Sequence, residues 1–273
     1  MNPAGIMDNT FLRLSDMRAF IDFICLTQAS RPSRVVFRLR KNLRPKRSLR
    51  PAAFALLLYL ILLNAAAWGQ TEHPVTGRKI APVMGMGGAD WLERPEREWE
   101  ESPDRMLDTL ELKPGETVAD VGAGVGYLTL RIATRVGPGG KVYGVDVQKE
   151  MLVRLRKNAA KAKLSNVEAI LGGENDPRLP PGQVDVILMV DVYHELSQPQ
   201  AMLQNMKKAL APGGRLVLVE YRKEDPSIPI RLEHKMSAVE VQTEVEAEGY
   251  RLDKTIKTLP RQNVFIFRAA KPN

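Results

Sequence analysis

The chain carries two hydrophobic periods that alternate from residue 113 onward. Short apolar runs with turn-forming residues at their ends are typical of β-strands. These runs lie at 117–121, 141–145, 167–171, 184–190 and 215–221. Between them, apolar residues recur at the spacing of one helix face, which predicts helices. The predicted helices span 127–136, 149–163, 201–211 and 238–249.

The order of these elements predicts an α/β fold. Strands that alternate with helices of about ten to fifteen residues indicate a doubly wound parallel sheet. The run 184–190 is almost wholly apolar, as expected for a parallel strand that is buried on both faces. Two further strands, 250–258 and 263–268, follow each other with no helix between them. Because a direct turn joins this pair, one strand of the sheet is predicted to be antiparallel.

Residues 70–112 precede this pattern and are predicted to form a linker and short helices. The segment GRKIAPVMGMGG is rich in Gly, Pro and Met, which is typical of an irregular loop. The charged stretch that follows has apolar residues at helical spacing, and Pro95 and Pro103 divide it. Ser102 is the expected N-cap of the helix that begins at Pro103. The main domain is then expected over 113–273.

Three residues of the charged stretch are candidates for a helical cover over a ligand site, namely Trp91, Arg94 and Trp99. Core packing of the two tryptophans and a solvated arginine are the simpler explanation. The sequence leaves both interpretations open.

Composition adds a strong charge asymmetry. The chain has 273 residues, a formal charge of +8 and a pI near 9.6. Residues 1–50 hold 11 of the 40 Lys and Arg but only 3 of the 32 Asp and Glu, so the rest of the chain is neutral. Such a cationic run is usually solvated and disordered. Nucleic-acid binding is not expected, because no aromatic residues are interleaved for base stacking.

A hydrophobic segment follows the basic run. Residues 51–68 read PAAFALLLYLILLNAAAW and carry no charge, although a spanning helix needs about 20 residues. We predict a bacterial-type signal or anchor segment over 51–69, with small residues for cleavage near Ala65–Ala67 or Ala67–Gly69. A buried core helix is the alternative. The protein is therefore expected to be anchored in a membrane or exported, and the charge bias favours a cytoplasmic N-terminus.

The most informative motif is the loop VADVGAGVGYLTL, which joins the first strand of the domain to its first helix. Gly122, Gly124 and Gly126 allow a sharp turn and a close approach of the backbone to a ligand. Their spacing is GxGxG, whereas dinucleotide binding needs GxGxxG, and here Tyr127 occupies the position after the third glycine. Asp120 makes the loop acidic, so a ligand with an ammonium or sulfonium group is favoured over a pyrophosphate.

A second acidic residue ends the next strand. Asp146 lies twenty residues beyond Gly126, where a carboxylate can accept both hydroxyls of a ribose. A helix cap is the alternative for a single Asp at a strand end. The neighbouring glycine loop favours ribose binding.

At this point the chain resembles the class I S-adenosylmethionine-dependent methyltransferases of the type 11 grouping, which includes ubiquinone and menaquinone C-methyltransferases. The resemblance covers about 113–268. It rests on the motif DVGAGVG, the strand end at Asp146, the segment LGGENDPRLPPGQVDVILMVDVYHEL and the motif LAPGGRLVLVE. The family implies a Rossmann-like, three-layer αβα fold with a seven-stranded sheet whose last strand is antiparallel. It also implies S-adenosylmethionine as the cofactor.

The resemblance implies how the cofactor is held. Asp120, Gly122 and Gly124 would line its amino-acid part and Asp146 its ribose. Glu174 and Asp176 both qualify for the adenine amine. The full set of expected cofactor-binding residues is Asp120, Gly122, Ala123, Gly124, Gly126, Tyr127, Asp146, Val147, Glu174, Asp176 and Asp191.

The residues after the fourth strand are the catalytic candidates. Ligands bind outside the carboxyl ends of the strands in this architecture, which places Asp191, Tyr193 and His194 toward a methyl acceptor. His194 is the expected general base, and the other two are expected to position the acceptor. The alternative is that Tyr193 and His194 only pack and cap the next helix.

Other polar residues give weaker signals. Glu220 and Tyr221 end the fifth strand and either face the pocket or form a structural ion pair. His73 is expected in the linker and His234 in a loop that could act as a lid. No metal site is predicted, because the three histidines are scattered and the only cysteine is Cys25.

These observations favour a methyltransferase that acts on a small-molecule or lipid-like acceptor. Its expected partners are that acceptor and, if residues 51–69 stay attached, the membrane. A non-catalytic sensor or scaffold that binds the same cofactor is the second hypothesis, and an NAD-dependent oxidoreductase is the third. Arsenite methylation is not expected, because it needs several thiolates and no cysteine follows the hydrophobic segment.

Overall fold

A seven-stranded mixed sheet forms the centre of the structure, a computed structural model that describes residues 71–270. The strands are β1 (Thr117–Val121), β2 (Lys141–Asp146), β3 (Val167–Leu171), β4 (Val184–Val190), β5 (Leu210–Tyr221), β6 (Tyr250–Ile256) and β7 (Gln262–Ala269). Their order is β3-β2-β1-β4-β5-β7-β6. The first five strands pair in parallel, and β7 runs antiparallel between β5 and β6. The predicted mixed sheet with a last antiparallel strand is confirmed.

Helices cover both faces of this sheet. They are α1 (Ala89–Leu92), α2 (Arg97–Glu100), α3 (Pro103–Thr109), α4 (Tyr127–Val136), α5 (Lys149–Lys161), α6 (Pro199–Ala209) and α7 (Ala238–Ala247). Successive residues of β1 face opposite sides, as the period of a strand requires. Val118 packs in the core under α3 and α4, whereas Ala119 packs in the core under α6 and α7. The three-layer αβα fold is therefore confirmed.

The strand order determines where a ligand can bind. The chain progresses from β1 toward β3 on one side and from β4 toward β5 on the other. Such a reversal opens a crevice at the carboxyl ends of β1 and β4, the usual ligand site of open α/β sheets.

Helix ends differ from the sequence expectation in detail. Ser102 occupies the N-cap position of α3, but its φ is 53° and its side chain makes no capping hydrogen bond. A full capping box is found instead at α7, where Ser237 and Glu240 satisfy each other's backbone groups. The long strand β5 begins at Leu210 and so takes the last two residues of the helix predicted over 201–211.

The predicted linker is partly packed. His73 and Ala81 are buried, and the His73 ring lies 3.3 Å from the carboxylate of Glu244 on α7. His73 thus lies in the predicted linker segment, but α7 supplies its ring with a buried polar partner.

The structure does not describe the residues of the two N-terminal predictions, the basic segment and the signal or anchor segment. The basic segment 1–50 and the hydrophobic segment 51–69 lie outside the described part of the chain. Within residues 71–270, no helix is both long and apolar enough to cross a bilayer.

Candidate active site

A cavity of about 640 Å³ opens at the carboxyl ends of β1, β2 and β4. Pockets for cofactors and small molecules typically have volumes of about 300–1,000 Å³. The predicted site residues that line it are Asp120, Gly122, Ala123, Gly124, Tyr127, Asp146, Val147, Glu174 and Asp191. The fold thus brings together most of the residues that the sequence analysis singled out for cofactor binding.

The glycine loop forms one wall of this cavity. Gly122 and Gly124 have φ values of 83° and 54°, in the left-handed region that favours glycine. The amide of Gly124 donates to Asp146 Oδ2 at 2.9 Å, which ties the loop to the end of β2. Gly126 does not line the cavity; its role is to begin α4 as the N-cap residue, packed against Leu155.

Gly122→Ala is expected to lower the stability of the protein. A Cβ at this position would overlap the side chain of Val192, and the positive φ disfavours any L side chain. Strain and overpacking each cost about 1–3 kcal/mol, so thermal unfolding should show a clear decrease in Tm. Gly139→Ala is the matched control, because its added Cβ meets nothing within 4 Å. Equal Tm values for the two variants would contradict this account of the loop.

Asp120 presents a buried carboxylate to the cavity. The residue is 3% exposed, and Oδ2 accepts a hydrogen bond of 2.6 Å from the Thr129 hydroxyl on α4. Burial raises the pKa of Asp120 to about 6, against the opposing effects of the Thr129 hydrogen bond and the nearby charge of Arg97. A buried carboxylate without a bound cation is costly, so this position favours a positively charged group.

Asp146 closes the cavity on the β2 side. Its Oδ2 accepts from the Gly124 amide, and its Oδ1 accepts from the Gln148 amide at 2.8 Å. Burial raises the pKa of Asp146, and these backbone hydrogen bonds oppose the shift. Each carboxylate oxygen retains a second lone pair, which is available to a pair of ligand hydroxyls.

The N-terminal helices contribute a residue that sequence reasoning missed. Arg97 of α2 is 6% exposed and lines the cavity, with its guanidinium 4.5 Å from the centre of the Tyr127 ring. Its Nε donates to Glu101 Oε2 at 2.6 Å. In the sequence, Arg97 was one of several charges in a charged helix and gave no distinctive signal.

The proposed cover is partly present. Trp91 and Leu92 line the cavity, and the Arg94 guanidinium stacks 3.6 Å from the centre of the Trp91 ring. Trp99 is 64% exposed and is not among the lining residues. Trp91 therefore belongs to the cover, whereas Trp99 does not.

The structure distinguishes the two adenine-side candidates. Glu174 lines the cavity together with Gly172 and Gly173. Asp176 does not line it, because its carboxylate turns back to accept from the Arg178 amide at 2.8 Å. The expectation that Asp176 binds the cofactor is therefore not supported.

Asp191 directly follows β4 and is one of the residues that line the cavity. Its φ of 54° is unusual for a non-glycine residue and turns the side chain out of the strand direction. Oδ2 accepts from Gln262 Nε2 at 2.6 Å, while the buried Oδ1 has no partner among residues 71–270. Burial and the negative charges of Glu101 and Glu220 raise the pKa of Asp191 well above its ordinary value. Buried carboxylate oxygens without a hydrogen-bond partner are rare in folded proteins, and a catalytic role is one of their explanations.

Tyr193 and His194 lie elsewhere. Tyr193 is fully buried, and its hydroxyl lies 3.3 Å from His73 Nε2. His194 is 2% exposed and its Nδ1 lies 2.6 Å from Glu220 Oε2. Neither side chain lines the cavity. The expectation that they face the acceptor is not supported, because the turn after Asp191 directs both rings inward.

Comparison with known proteins identifies the class. A family model described as a methyltransferase domain matches residues 112–258, which is more than half of the chain. The chain belongs to the class I S-adenosylmethionine-dependent methyltransferases. Its cofactor is S-adenosylmethionine, so the NAD-dependent alternative is not supported.

Individual relatives have different acceptors. An arsenite methyltransferase of Halobacterium salinarum is 36% identical over 107 residues, covering 39% of this chain and 27% of that protein. A demethylmenaquinone methyltransferase of Symbiobacterium thermophilum is 32% identical over 127 residues, covering 46% and 51%. The crystal structure of an S-adenosylmethionine-dependent methyltransferase from Aquifex aeolicus has a TM-score of 0.65 and 31% identity, covering 68% of this chain and 98% of that one.

The chain spans about half or less of the length of these two curated relatives. Likeness to these relatives therefore does not identify the acceptor of this chain.

Proposed function

We propose that this protein transfers the methyl group of S-adenosylmethionine to a small-molecule or lipid-like acceptor, with Asp191 at the reacting end of the cavity. The observation that carries the proposal is the unpartnered buried oxygen of Asp191, a residue that lines the same cavity as Asp120 and Asp146. That oxygen is suited to accept a proton or a hydrogen bond from an acceptor hydroxyl or amine.

The cavity residues suit the cofactor in three places. Asp120 is the partner for its ammonium group, and Arg97 is the charge that its carboxylate needs. Asp146 is the proposed acceptor for its two ribose hydroxyls, and Glu174 is the proposed acceptor for its adenine amine. Bound in this way, S-adenosylmethionine supplies an electrophilic methyl group, and the chain's task is to hold and orient the two reactants.

The residue proposed as general base changes from His194 to Asp191. His194 was the expected base, but it does not line the cavity, whereas Asp191 does. Asp191 therefore takes this role in the proposal. Where the acceptor needs no deprotonation, the same oxygen orients it by hydrogen bonding.

Several observations favour an apolar acceptor. The cavity wall beside Asp191 includes Val192, Leu196 and Met202. The hydrophobic segment 51–69 would bring the domain close to a membrane that holds lipid-like substrates. Arsenite remains disfavoured, because no cysteine follows Cys25 to bind arsenic.

Methyl transfer tests the proposal directly. The full chain is incubated with methyl-labelled cofactor and either a demethylated quinone or a pool of cell-extract metabolites. We expect label in an apolar product, and calorimetry should show binding of S-adenosylhomocysteine but not of NAD. Binding of S-adenosylhomocysteine without transfer to any acceptor would favour the sensor or scaffold instead.

Cofactor affinity should decrease as the pH falls below about 6. Below the pKa of about 6, Asp120 is neutral in the free protein and cannot attract the cofactor's ammonium group. Each further pH unit should then weaken S-adenosylhomocysteine binding about tenfold, since protonation competes with the ligand. Calorimetric titrations at pH 5, 6 and 7.5 measure the effect.

Asp120→Asn isolates the contribution of this carboxylate. The variant should bind weakly at every pH and lose most of the decrease below pH 6. If it retained the same pH dependence as the natural chain, another group would be responsible and the role of Asp120 would be rejected.

We also infer that residues 51–69 anchor the protein or direct its export. The uncharged run and the nine cations between Arg31 and Arg50 support this. Protease accessibility in intact and permeabilised cells would test it. Cleavage of the domain only after permeabilisation, together with recovery in the soluble fraction, would reject both anchoring and export.

A further inference from the structure

Three potential metal ligands converge beside the cavity. His194 Nε2 lies 3.1 Å from His234 Nδ1, Glu195 Oε1 lies 3.7 Å from the same Nδ1, and it lies 4.0 Å from His194 Nε2. A circle through three points with these separations has a radius of about 2.1 Å, and zinc–nitrogen and zinc–oxygen bonds measure about 2.0–2.2 Å. A single ion at its centre would be at bonding distance from all three atoms.

The side chains come from separate parts of the chain. His194 and Glu195 belong to the turn after β4, and His234 belongs to the loop between β5 and α7. This distance in sequence explains why no ligand spacing was visible there. The fold brings two of the three scattered histidines together, whereas His73 lies elsewhere, beside Glu244 and Tyr193.

His194 and Glu195 each make a further hydrogen bond outside the cluster. The other ring nitrogen of His194 lies 2.6 Å from Glu220 Oε2, and Glu220 is fully buried. A histidine that donates one N–H to a carboxylate presents the lone pair of its other nitrogen, as metal-ligating histidines do. Oε2 of Glu195 accepts from the Met84 amide at 3.4 Å, which leaves Oε1 toward the histidines.

We propose that His194, Glu195 and His234 bind one divalent transition-metal ion, of which Zn²⁺ is the best match. Two imidazoles and one carboxylate form a donor set that such ions favour. Three protein ligands leave a coordination position open, which an oxygen or sulfur ligand would fill. Glu195 also lines the cofactor cavity, so the ion would lie at its edge.

The open position suggests the class of ligand. A hydroxyl or thiol bound to such an ion loses its proton near neutral pH. If the proposed methyl transfer holds, the ion would bind an acceptor of this kind or the water beside it. Metal binding itself does not depend on that function.

A hydrogen bond between the histidines is the competing account. In the absence of an ion, one of the two facing nitrogens must carry a proton, and the 3.1 Å separation then fits an ordinary hydrogen bond. A metal site would bind an added divalent ion through these three side chains, whereas a simple hydrogen bond between the histidines would not.

Cobalt titration separates them. The full chain is treated with a chelator, dialysed and titrated with Co²⁺, whose visible absorption reports its coordination. We expect saturation at one ion per chain and displacement of the signal by Zn²⁺. His234→Ala and Glu195→Gln should each weaken binding by at least about 100-fold, and Glu220→Gln by about 10- to 100-fold.

Glu233→Gln is the matched control. It removes a negative charge beside His234 without touching the three ligands, so the Co²⁺ affinity should stay within about twofold. Thermal unfolding of every variant, and its calorimetric affinity for S-adenosylhomocysteine, show whether the cofactor domain remains folded.

Two results would overturn the proposal. One is the absence of a saturable Co²⁺ signal in the natural chain. The other is unchanged affinity in folded His234→Ala protein, which would place the ion elsewhere, for example at Cys25. Because S-adenosylhomocysteine binding is measured separately, failure of the metal site and failure of the methyltransferase proposal give different results.

Discussion

Asp146→Ala should weaken the binding of S-adenosylhomocysteine by about 100-fold or more. The carboxylate accepts from the amides of Gly124 and Gln148 and is proposed to accept from the ribose hydroxyls as well. Hydrogen bonds to charged groups contribute about 1.5–3 kcal/mol each. Loss of two ribose contacts and a looser glycine loop together account for the expected decrease, which calorimetry measures.

A second aspartate provides the control for this experiment. Asp185 on β4 also accepts a backbone amide, that of Thr117 at 2.9 Å, but it lies at the opposite end of the sheet. Asp185→Ala should lower stability to a similar extent and leave cofactor affinity nearly unchanged. Similar losses of affinity in both variants would indicate a general effect on folding rather than a role of Asp146 in the site.

Asp191→Asn should decrease kcat by about 10²–10⁴-fold for an acceptor that must lose a proton, the range typical of general acid–base catalysis. The amide keeps the size of the side chain, and Asn tolerates the left-handed backbone at this position. It cannot accept a proton from the acceptor. Single-turnover kinetics with labelled cofactor measure the chemical step.

The affinity for S-adenosylhomocysteine separates catalysis from binding in the same variant. It should change little, because Asp191 is assigned to the acceptor and not to the cofactor. Asp176→Asn serves as a control, since that carboxylate lies outside the cavity. Full activity of Asp191→Asn with such an acceptor would reject the proposed role of Asp191.

The fold could be predicted well because its signals are local. The apolar run at 184–190 and the strand at 117–121 match β4 and β1 residue for residue. Burial on both faces of a parallel strand leaves an unbroken apolar run in the sequence. The cofactor-binding residues of the glycine loop and β2 were also predictable from local signals. A backbone at positive φ favours glycine, and a carboxylate at a strand end must come from Asp or Glu.

The acceptor end was not predictable in this way. The motif DVYHEL places Asp191, Tyr193 and His194 close together in sequence, and its histidine was the obvious base. In the structure Asp191 has a positive φ and lines the cavity, whereas Tyr193 and His194 do not line it. Such a difference depends on packing against β5 and β7 and leaves no pattern in the composition.

What the sequence alone determined is therefore the class of fold, the cofactor and most of the residues expected to hold it. The tertiary structure decided that Arg97, Glu174 and Asp191 line the cavity and that Asp176 and His194 do not. It also brought His234 to His194 and Glu195. The physical reason is that periodicity records which face of an element is buried, whereas contacts between distant segments depend on how the elements pack.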